Sequence, residues 1–189
     1  VTEAMDHLKK QREFTIEEDR VYRSELFQAE FEIASRLRFI ARTPSPGGAP
    51  SKAEAEKMLR EIEASRKIEF AAHQREAVIQ ASRSKLMVLT GGPGTGKTTT
   101  VLGIIDLFRR LRKPVMLCAP TGRAAKRLSE TTGMEAKTIH RLLEFNPHTG
   151  KFTKNEGDHL GAHGIIVDEA SMIDTGLMTD FLRAVSPYS

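Results

Sequence analysis

The chain has 189 residues, of which 39% are hydrophobic and 29% are charged, which is enough for one ordinary domain core. Its formal net charge of +4 is compatible with a polyanionic partner but does not by itself indicate one. A single cysteine excludes an intrachain disulfide framework and a thiolate zinc site, and no apolar run approaches transmembrane length. We therefore expect a helix-rich cytoplasmic protein with no membrane partner.

The N-terminal part of the chain is predicted to be a helical region over 1–43, followed by a linker over 44–50. Residues 1–20 are highly charged and are expected to fray, whereas apolar residues recur at helical spacing over 24–42. The run TPSPGGAPS over 43–51 contains three prolines and two adjacent glycines, which break a helix. The linker should therefore separate this region from the rest of the chain.

A helical lead-in is predicted over 51–83. Ser51 and Glu54 have the spacing of a capping box, in which each side chain satisfies the other residue's backbone N–H. The helix that begins there should end near Ser65, and a second helix should cover 71–83.

The remaining residues, 84–189, alternate between apolar runs and helical patterns. The strands are predicted over 85–90, 114–119 and 164–169, and the helices over 97–112, 121–133 and 138–144. This alternation indicates the α/β class, with a parallel sheet and flanking helices. Turn signals over 145–159 predict a surface hairpin or loop. The residues expected in the core include Cys118, Met172, Ile173, Leu177 and Phe181.

The stretch GGPGTGKTTT over 91–100 fits the pattern Gly-x4-Gly-Lys-Thr between a predicted strand and a predicted helix. Glycines let the backbone N–H groups wrap around a phosphate, and the helix places its positive end at the same point. Lys97 would supply charge to the β- and γ-phosphates of ATP, and the Thr98 hydroxyl would ligate Mg²⁺. A glycine-rich turn that binds nothing is the alternative. The predicted ATP-binding residues of the loop are Gly92, Pro93, Gly94, Thr95, Gly96, Lys97, Thr98 and Thr99.

An acid pair, Asp168 and Glu169, follows the last predicted strand. In an open α/β sheet, ligands bind at the carboxyl ends of the strands. Asp168 would hold Mg²⁺, directly or through water, and Glu169 would orient or deprotonate the attacking water. The alternative is that the two acids only cap the next helix. An adjacent Asp-Glu pair favours hydrolysis of ATP over phosphoryl transfer to a small molecule.

Five stretches together resemble the RecD-like branch of the superfamily 1 DNA helicases, which includes the exonuclease V alpha subunit. They are HQREAV (73–78), GGPGTGKTT (91–99), APTGRAAKRL (119–128), KTIHRLL (137–143) and VDEASMID (167–174). The resemblance covers roughly 70–180 and implies a RecA-like ATPase lobe over 84–189. It also implies hydrolysis of ATP coupled to 5′-to-3′ translocation on single-stranded DNA, in DNA recombination or repair.

The resemblance also assigns individual residues. Gln74 falls where these helicases read adenine, although a solvated helix glutamine is the alternative. His140 matches a DNA-side position, with a packing role as the alternative, and Lys126 and Arg127 fit a solvated face better than a DNA contact. Base-stacking aromatic residues are not evident in the matched region. The predicted DNA-binding residues are Pro120, Thr121, Gly122, Arg123, Thr138 and His140.

The resemblance implies a motor of two lobes, and only one helix is predicted after the acid pair. We therefore expect an incomplete first lobe of a larger motor, which by itself is weakly active or inactive. Within the branch, a conjugative relaxase motor and a subunit of a nuclease–helicase complex both stay open. Outside it, the alternatives are a small-molecule kinase and a nucleotide-dependent DNA-binding module that does not hydrolyse ATP.

Overall fold

The computed structural model describes residues 13–45, 48–92 and 94–189. The strands are β1 (Phe14–Glu17), β2 (Arg20–Arg23), β3 (Val115–Ala119), β4 (Ala136–Thr138), β5 (Phe145–Asn146), β6 (Lys151–Phe152) and β7 (Gly164–Val167). The helices are α1 (Ser24–Arg42), α2 (Lys52–Arg66), α3 (Ala72–Ala81), α4 (Lys97–Arg110), α5 (Gly122–Thr132), α6 (Ile139–Leu142) and α7 (Thr175–Ala184), with a 3₁₀ turn at Ala170–Met172.

Three parallel strands form the central sheet, in the order β4-β3-β7. The middle strand alternates between the two faces: Leu117 packs with Ile105 of α4 and Leu128 of α5, while Cys118 packs with the cluster that α1, α6 and α7 form. Helices therefore cover both faces. The predicted α/β class, with a parallel sheet and flanking helices as in P-loop NTPases, is confirmed.

Helices α2, α3 and α4 form a second core beside the sheet. The capping box predicted at Ser51 is present, with both of its hydrogen bonds to Glu54. Gly103 lets α4 approach closely, since a Cβ at this position would lie 2.7 Å from the ring of Phe70 and 2.9 Å from Val78. This packing fixes α3, and with it Gln74, against the first turns of α4.

The helix predicted over 24–42 is present as α1, whereas the fraying expected over 1–20 is wrong for residues 13–20, and residues 1–12 lie outside the described residues. Strands β1 and β2 form an antiparallel hairpin, in which Thr15 pairs with Tyr22. Glu18 makes the turn with φ 54°, and the ring of Tyr22 contacts that of Phe27 on α1 at 5.4 Å between centroids. The run FTIE alternates apolar and polar residues and carried a strand signal, whereas RVYR does not alternate. The domain boundaries stay predictions.

The prediction of a strand over 85–90 is also wrong. Residues 85 and 86 form a bend, residues 87–90 have no regular secondary structure, and none of them pairs with a described strand. Met87 packs toward the second core, whereas Leu86 is 46% exposed and Val88 is 84% exposed. An apolar run shows that a segment suits a strand, but it does not supply a partner.

Of the residues predicted to lie in the core, some are buried, some are half-buried and one is exposed. Cys118 and Phe181 are buried, and burial raises the pKa of the Cys118 thiol to about 12, which makes it unreactive. Ile173 and Leu177 are half-buried against the same cluster. Met172 is 60% exposed, because the chain forms a 3₁₀ turn there and α7 begins later, at Thr175.

No helix in the described part of the chain is long and apolar enough to cross a membrane. The cytoplasmic location stays a prediction.

Candidate functional site

The phosphate loop lies between the irregular segment 85–90 and α4, and its backbone needs glycine at two points. Gly94 has φ 75° and Gly96 has φ 78°, a region that other residues enter at a cost. The ammonium group of Lys97 donates hydrogen bonds to the carbonyl oxygens of Gly91 and, at 2.7 Å, of Gly92. The lysine therefore folds back over the loop. Pro93 lies outside the described residues.

Gln74 joins α3 to the phosphate loop. Its Oε1 accepts a hydrogen bond from the N–H of Ala71 at 2.9 Å, and its Nε2 donates to the carbonyl of Gly96 at 3.3 Å. The side chain is thus not a solvated helix glutamine. It also borders a cavity of about 230 Å³, which Ala77 and Leu89 line on the apolar side and Lys97 on the polar side. Its role in reading adenine stays a prediction.

An ion pair holds α3 behind this cavity. The Glu63 carboxylate accepts hydrogen bonds from the guanidinium of Arg75 and, at 3.0 Å, from the N–H of Phe70. Burial acts to raise the pKa of Glu63, but the bonds from Arg75 and Phe70 outweigh it, and the pKa lies below its usual value. The first turn of α3 is therefore fixed from α2.

The acid pair lies at the carboxyl end of β7. The N–H of Asp168 donates to the carbonyl of Cys118 at 2.9 Å, so this aspartate continues the ladder between β7 and β3. One carboxylate oxygen of Asp168 accepts from the N–H of Glu169 at 3.0 Å. Neither acid caps a helix through its side chain, since Asp174 caps α7 by accepting from the N–H of Leu177.

Glu169 has an unusual backbone. Its φ of 54° and ψ of 36° are left-handed, a conformation that costs an L residue about 1–2 kcal/mol. Both acids are exposed, so their carboxylates are open to a ligand at this edge. Strain of this kind concentrates at functional sites, where it fixes the direction of a side chain.

Packing places the phosphate loop at the same edge as the acid pair. The ring of Phe108, in the last turn of α4, lies against Gly164 at the start of β7, and Ile105, earlier in α4, packs with Leu117 in the middle of β3. Helix α4 therefore runs antiparallel to these strands. Its first residue, Lys97, lies toward their carboxyl ends, where Asp168 stands.

The donors at this edge suit Mg²⁺. Thr98 is exposed in the first turn of α4, and Asp168 keeps one carboxylate oxygen free of the bond to Glu169. Both groups offer hard oxygen atoms, and Mg²⁺ takes few protein ligands and completes its shell with waters and phosphates. In the described residues no group of three or more His, Cys, Asp or Glu side chains could hold a metal by itself.

The predicted DNA-binding residues follow β3 and β4 at the same edge. Ala119 pairs with Thr138 across the two strands, so the segments that follow them are neighbours. Two of the predicted DNA-binding residues, Thr121 and Thr138, act as helix caps. The hydroxyl of Thr121 accepts a hydrogen bond from the N–H of Ala124 at 3.2 Å, and that of Thr138 accepts from the N–H of Arg141 at 3.2 Å.

Two of the remaining predicted DNA residues are open to solvent, and a third is half-buried. Gly122 and Arg123 are exposed at the first turn of α5, and Pro120 is half-buried before it. Lys126 and Arg127 are also exposed, and Lys126 lies 3.8 Å from Glu130, as a solvated face requires. The DNA contacts themselves stay a prediction.

His140 belongs to an aromatic cluster that the sequence did not reveal. Its ring lies 5.7 Å from that of Phe145 and 5.6 Å from that of Phe152, and the two phenylalanines are 5.2 Å apart. Phe145 and Phe152 are seven positions apart and meet because they pair across the β5–β6 hairpin. The hairpin was predicted, and a register for it would have placed the two rings together.

Comparison with known proteins agrees with this geometry. A family model described as an AAA domain matches residues 74–189. The chain is 41% identical to the ATP-dependent RecD2 DNA helicase of Deinococcus radiodurans over 177 residues, which cover 90% of the chain and 23% of that protein.

Two further relatives are subunits named RecD of the RecBCD enzyme. The protein from Mycolicibacterium smegmatis is 40% identical over 61% of the chain, and that from Haemophilus influenzae is 33% identical over 60%. The chain spans about a quarter of the length of the curated relatives it matches. By its matched family model, the chain belongs to the AAA domain family, and its resemblance to the RecD-like helicases is confirmed.

Proposed function

We propose that this chain is the first ATPase lobe of an ATP-dependent DNA helicase that moves 5′-to-3′ on single-stranded DNA in recombination or repair. One observation supports the proposal most: the acid pair and the two segments that match DNA-side motifs follow neighbouring strands at one sheet edge, and the packing of α4 directs its first residue, beside the phosphate loop, toward that edge. The register of β4, β3 and β7 makes the acid pair and the two segments neighbours. Nucleotide and DNA would therefore act on adjoining strand ends.

At the nucleotide end, each side chain has a separate task. Gln74 and the apolar wall of the cavity would hold the adenine, and the loop N–H groups would hold the phosphates. Lys97 would leave the carbonyls of Gly91 and Gly92 and bind the β- and γ-phosphates instead.

The acids complete this end. When bound between Thr98 and Asp168, Mg²⁺ would neutralise charge on the phosphates. Glu169 would accept a proton from the attacking water. Its left-handed backbone sets the direction in which the side chain leaves the main chain.

At the DNA end, Pro120 to Arg123 and the segment from Thr138 to His140 would hold the sugar–phosphate backbone. Such contacts set position and supply salt-dependent affinity without reading sequence. Because β3 lies between β4 and β7, a shift of the acid pair on hydrolysis would reach both DNA segments through one strand.

Two kinds of assembly fit the relatives. One relative is named as a helicase, and the others are named as subunits of the RecBCD enzyme. We propose that the complete protein acts on DNA by itself or with other subunits of a nuclease–helicase complex. Copurification of the complete protein with its partners distinguishes the two.

The test is phosphate release by the complete protein, with and without single-stranded DNA. Stimulation by DNA, together with unwinding of a duplex with a 5′ tail, is the expected result. A phosphorylated small molecule in place of free phosphate would instead identify a kinase. Intact ATP after long incubation with DNA would identify a non-hydrolysing DNA-binding module.

A further inference from the structure

We propose that a cavity between α2 and α4, here named the arginine cavity, binds a phosphate monoester as its dianion. The arginine cavity has a volume of about 380 Å³ and is lined by Ile62, Ser65, Arg66, Asp106, Arg109 and Arg110. Lys97 of the phosphate loop and Arg109 lie about 18 Å apart along α4, so this site is separate from the nucleotide end. The inference therefore goes beyond the proposed function and does not depend on it.

The arginine cavity lies between two helices that pack as antiparallel neighbours. Arg66, at the end of α2, donates a hydrogen bond to Asp106 of α4, and Arg110, at the end of α4, donates to Glu61 of α2 at 2.7 Å. The residue numbers rise on one helix as they fall on the other, so the two helices are antiparallel. Ile62, which also lines the cavity, is buried in the second core. The packing of this core therefore fixes the two walls of the cavity relative to each other.

The lining is charged rather than apolar. Four of its six residues are ionised, and the three arginines exceed the single aspartate by two positive charges. Glu61, which pairs with Arg110, does not line the cavity and is 48% exposed, so solvent screens its charge. The side chain of Asp106 is only 12% exposed, whereas that of Arg109 is 66% exposed. The arginine cavity therefore favours an anion that carries two charges.

The three arginines keep hydrogen-bond donors for such an anion. A guanidinium group carries five N–H donors. Among the described residues, Arg66 and Arg109 each donate through one nitrogen to Asp106, and Arg110 donates through one nitrogen to Glu61. These bonds also restrict the arginine side chains before a ligand arrives, so that less conformational entropy is lost on binding.

A phosphate monoester matches this arrangement best. It carries about two negative charges near neutral pH and three strong acceptor oxygens, and guanidinium groups bind phosphate oxygens through paired hydrogen bonds. A carboxylate offers one charge and two oxygens, and a phosphate diester of the DNA backbone also carries one charge. Small phosphorylated molecules and the terminal phosphate of a DNA strand both present the monoester group.

Substitution of Arg109 tests the arginine cavity in the complete protein. Methyl phosphate is the probe, its binding is measured by phosphorus NMR, and the Lys97→Ala background removes the lysine of the phosphate loop. Adding Arg109→Gln should weaken the binding of methyl phosphate by about 10-fold or more. Asp106 keeps Arg66 as its partner in this variant, so thermal unfolding should stay near that of the background protein. Arg112→Gln removes the same charge from an exposed residue outside the lining, and this control should bind methyl phosphate unchanged.

Two further probes define the ligand. Dimethyl phosphate, a diester with one charge, should bind about 10-fold more weakly than methyl phosphate or worse. Oligo(dT) strands with a 5′-phosphate and with a 5′-hydroxyl are then compared as competitors of methyl phosphate. Stronger displacement by the phosphorylated strand would identify a DNA end as the source of the monoester, and equal displacement would identify a small molecule.

Three results would overturn the inference. The first is no binding of methyl phosphate in the Lys97→Ala background. The second is an equal loss of affinity in Arg109→Gln and Arg112→Gln, which would assign the binding to general positive charge. The third is equal affinity for methyl and dimethyl phosphate. All three leave the proposed function standing, because DNA-stimulated phosphate release tests that function separately.

Discussion

The two ends of the sheet's carboxyl edge are built in different ways. At the nucleotide end, the phosphate loop is one continuous stretch whose shape depends on Gly94 and Gly96 and on Lys97, which folds over its carbonyls. At the DNA end, the surface combines the residues after β3 with the residues after β4. Chemistry that depends on the backbone of one loop stays local, whereas a surface for a long polymer is spread over more than one element.

The two ends also use their polar groups differently. Lys97 and Gln74 each donate hydrogen bonds to loop carbonyls, and a nucleotide would compete for these donors, so the proposed nucleotide end must rearrange on binding. Thr121 and Thr138 already cap their helices, so the proposed DNA end has its helix caps in place without DNA. We therefore expect substitutions at the nucleotide end to act on the reaction, and those at the DNA end to act on affinity and stability together.

The largest effect is expected for Lys97→Ala in the complete protein. Loss of the positive charge on the β- and γ-phosphates should lower ATP hydrolysis by at least about 100-fold. Binding of single-stranded DNA should change little, because Lys97 bonds only to the loop carbonyls of Gly91 and Gly92 in the described structure. Phosphate release and DNA anisotropy measure the two effects. Lys126→Ala, at a site that is exposed on α5, is the control, and an equal loss in both variants would contradict the assignment.

Next in size is Glu169→Gln, which should lower hydrolysis by about 100-fold or more while ATP still binds. Binding of a fluorescent nucleotide and phosphate release separate the two steps. Glu169→Gly should be equally inactive but more stable by about 1 kcal/mol, because glycine accepts the left-handed backbone. A Glu169→Gly protein that is less stable than the wild type would show that the backbone at this position stores no strain.

A smaller effect is expected at Thr121. Thr121→Ala removes the cap of α5 and should cost about 1 kcal/mol in the free energy of unfolding. It should also weaken DNA binding severalfold. Thr121→Ser keeps the hydroxyl and should restore the stability and the DNA affinity. If the serine variant regains stability but not affinity, the hydroxyl is a cap alone and the methyl group or the helix position holds the DNA.

The smallest effect concerns acid stability away from both ends. The guanidinium of Arg183 on α7 bonds to both carboxylate oxygens of Glu32 on α1, at 2.7 and 2.8 Å, and with Arg36 it lowers the pKa of Glu32 to about 2. The depressed pKa stabilises the fold above about pH 4.5, and this stabilisation is lost as the pH falls toward 2.

The variant Glu32→Gln measures this contribution. It should be less stable than the wild type near neutral pH by about 1 kcal/mol, because the pair is partly exposed to solvent. The difference should shrink toward zero between about pH 4.5 and pH 2. Denaturant unfolding at several pH values provides the measurement. A difference that is independent of pH would show that the charge of Glu32 does not produce the stabilisation.

The sequence predicted the nucleotide end far better than the DNA end, for a physical reason. The pattern around Lys97 lies within ten residues, and Asp168 directly follows an apolar run, so both features can be recognised from neighbouring residues in the sequence. Three features depend on which segments pair, and composition does not specify pairing. They are the β1–β2 hairpin, the three-residue strand β4 and the aromatic cluster that includes His140. The strand prediction for 85–90 failed because this segment has the composition of a strand but has no partner strand among the described residues.

ATP hydrolysis by the complete protein, as a function of the concentration of single-stranded DNA, joins the two ends in one experiment. We predict that DNA stimulates phosphate release and that Lys97→Ala abolishes it. Phosphate release that DNA leaves unchanged, or that persists in Lys97→Ala, would contradict the coupling of the two ends.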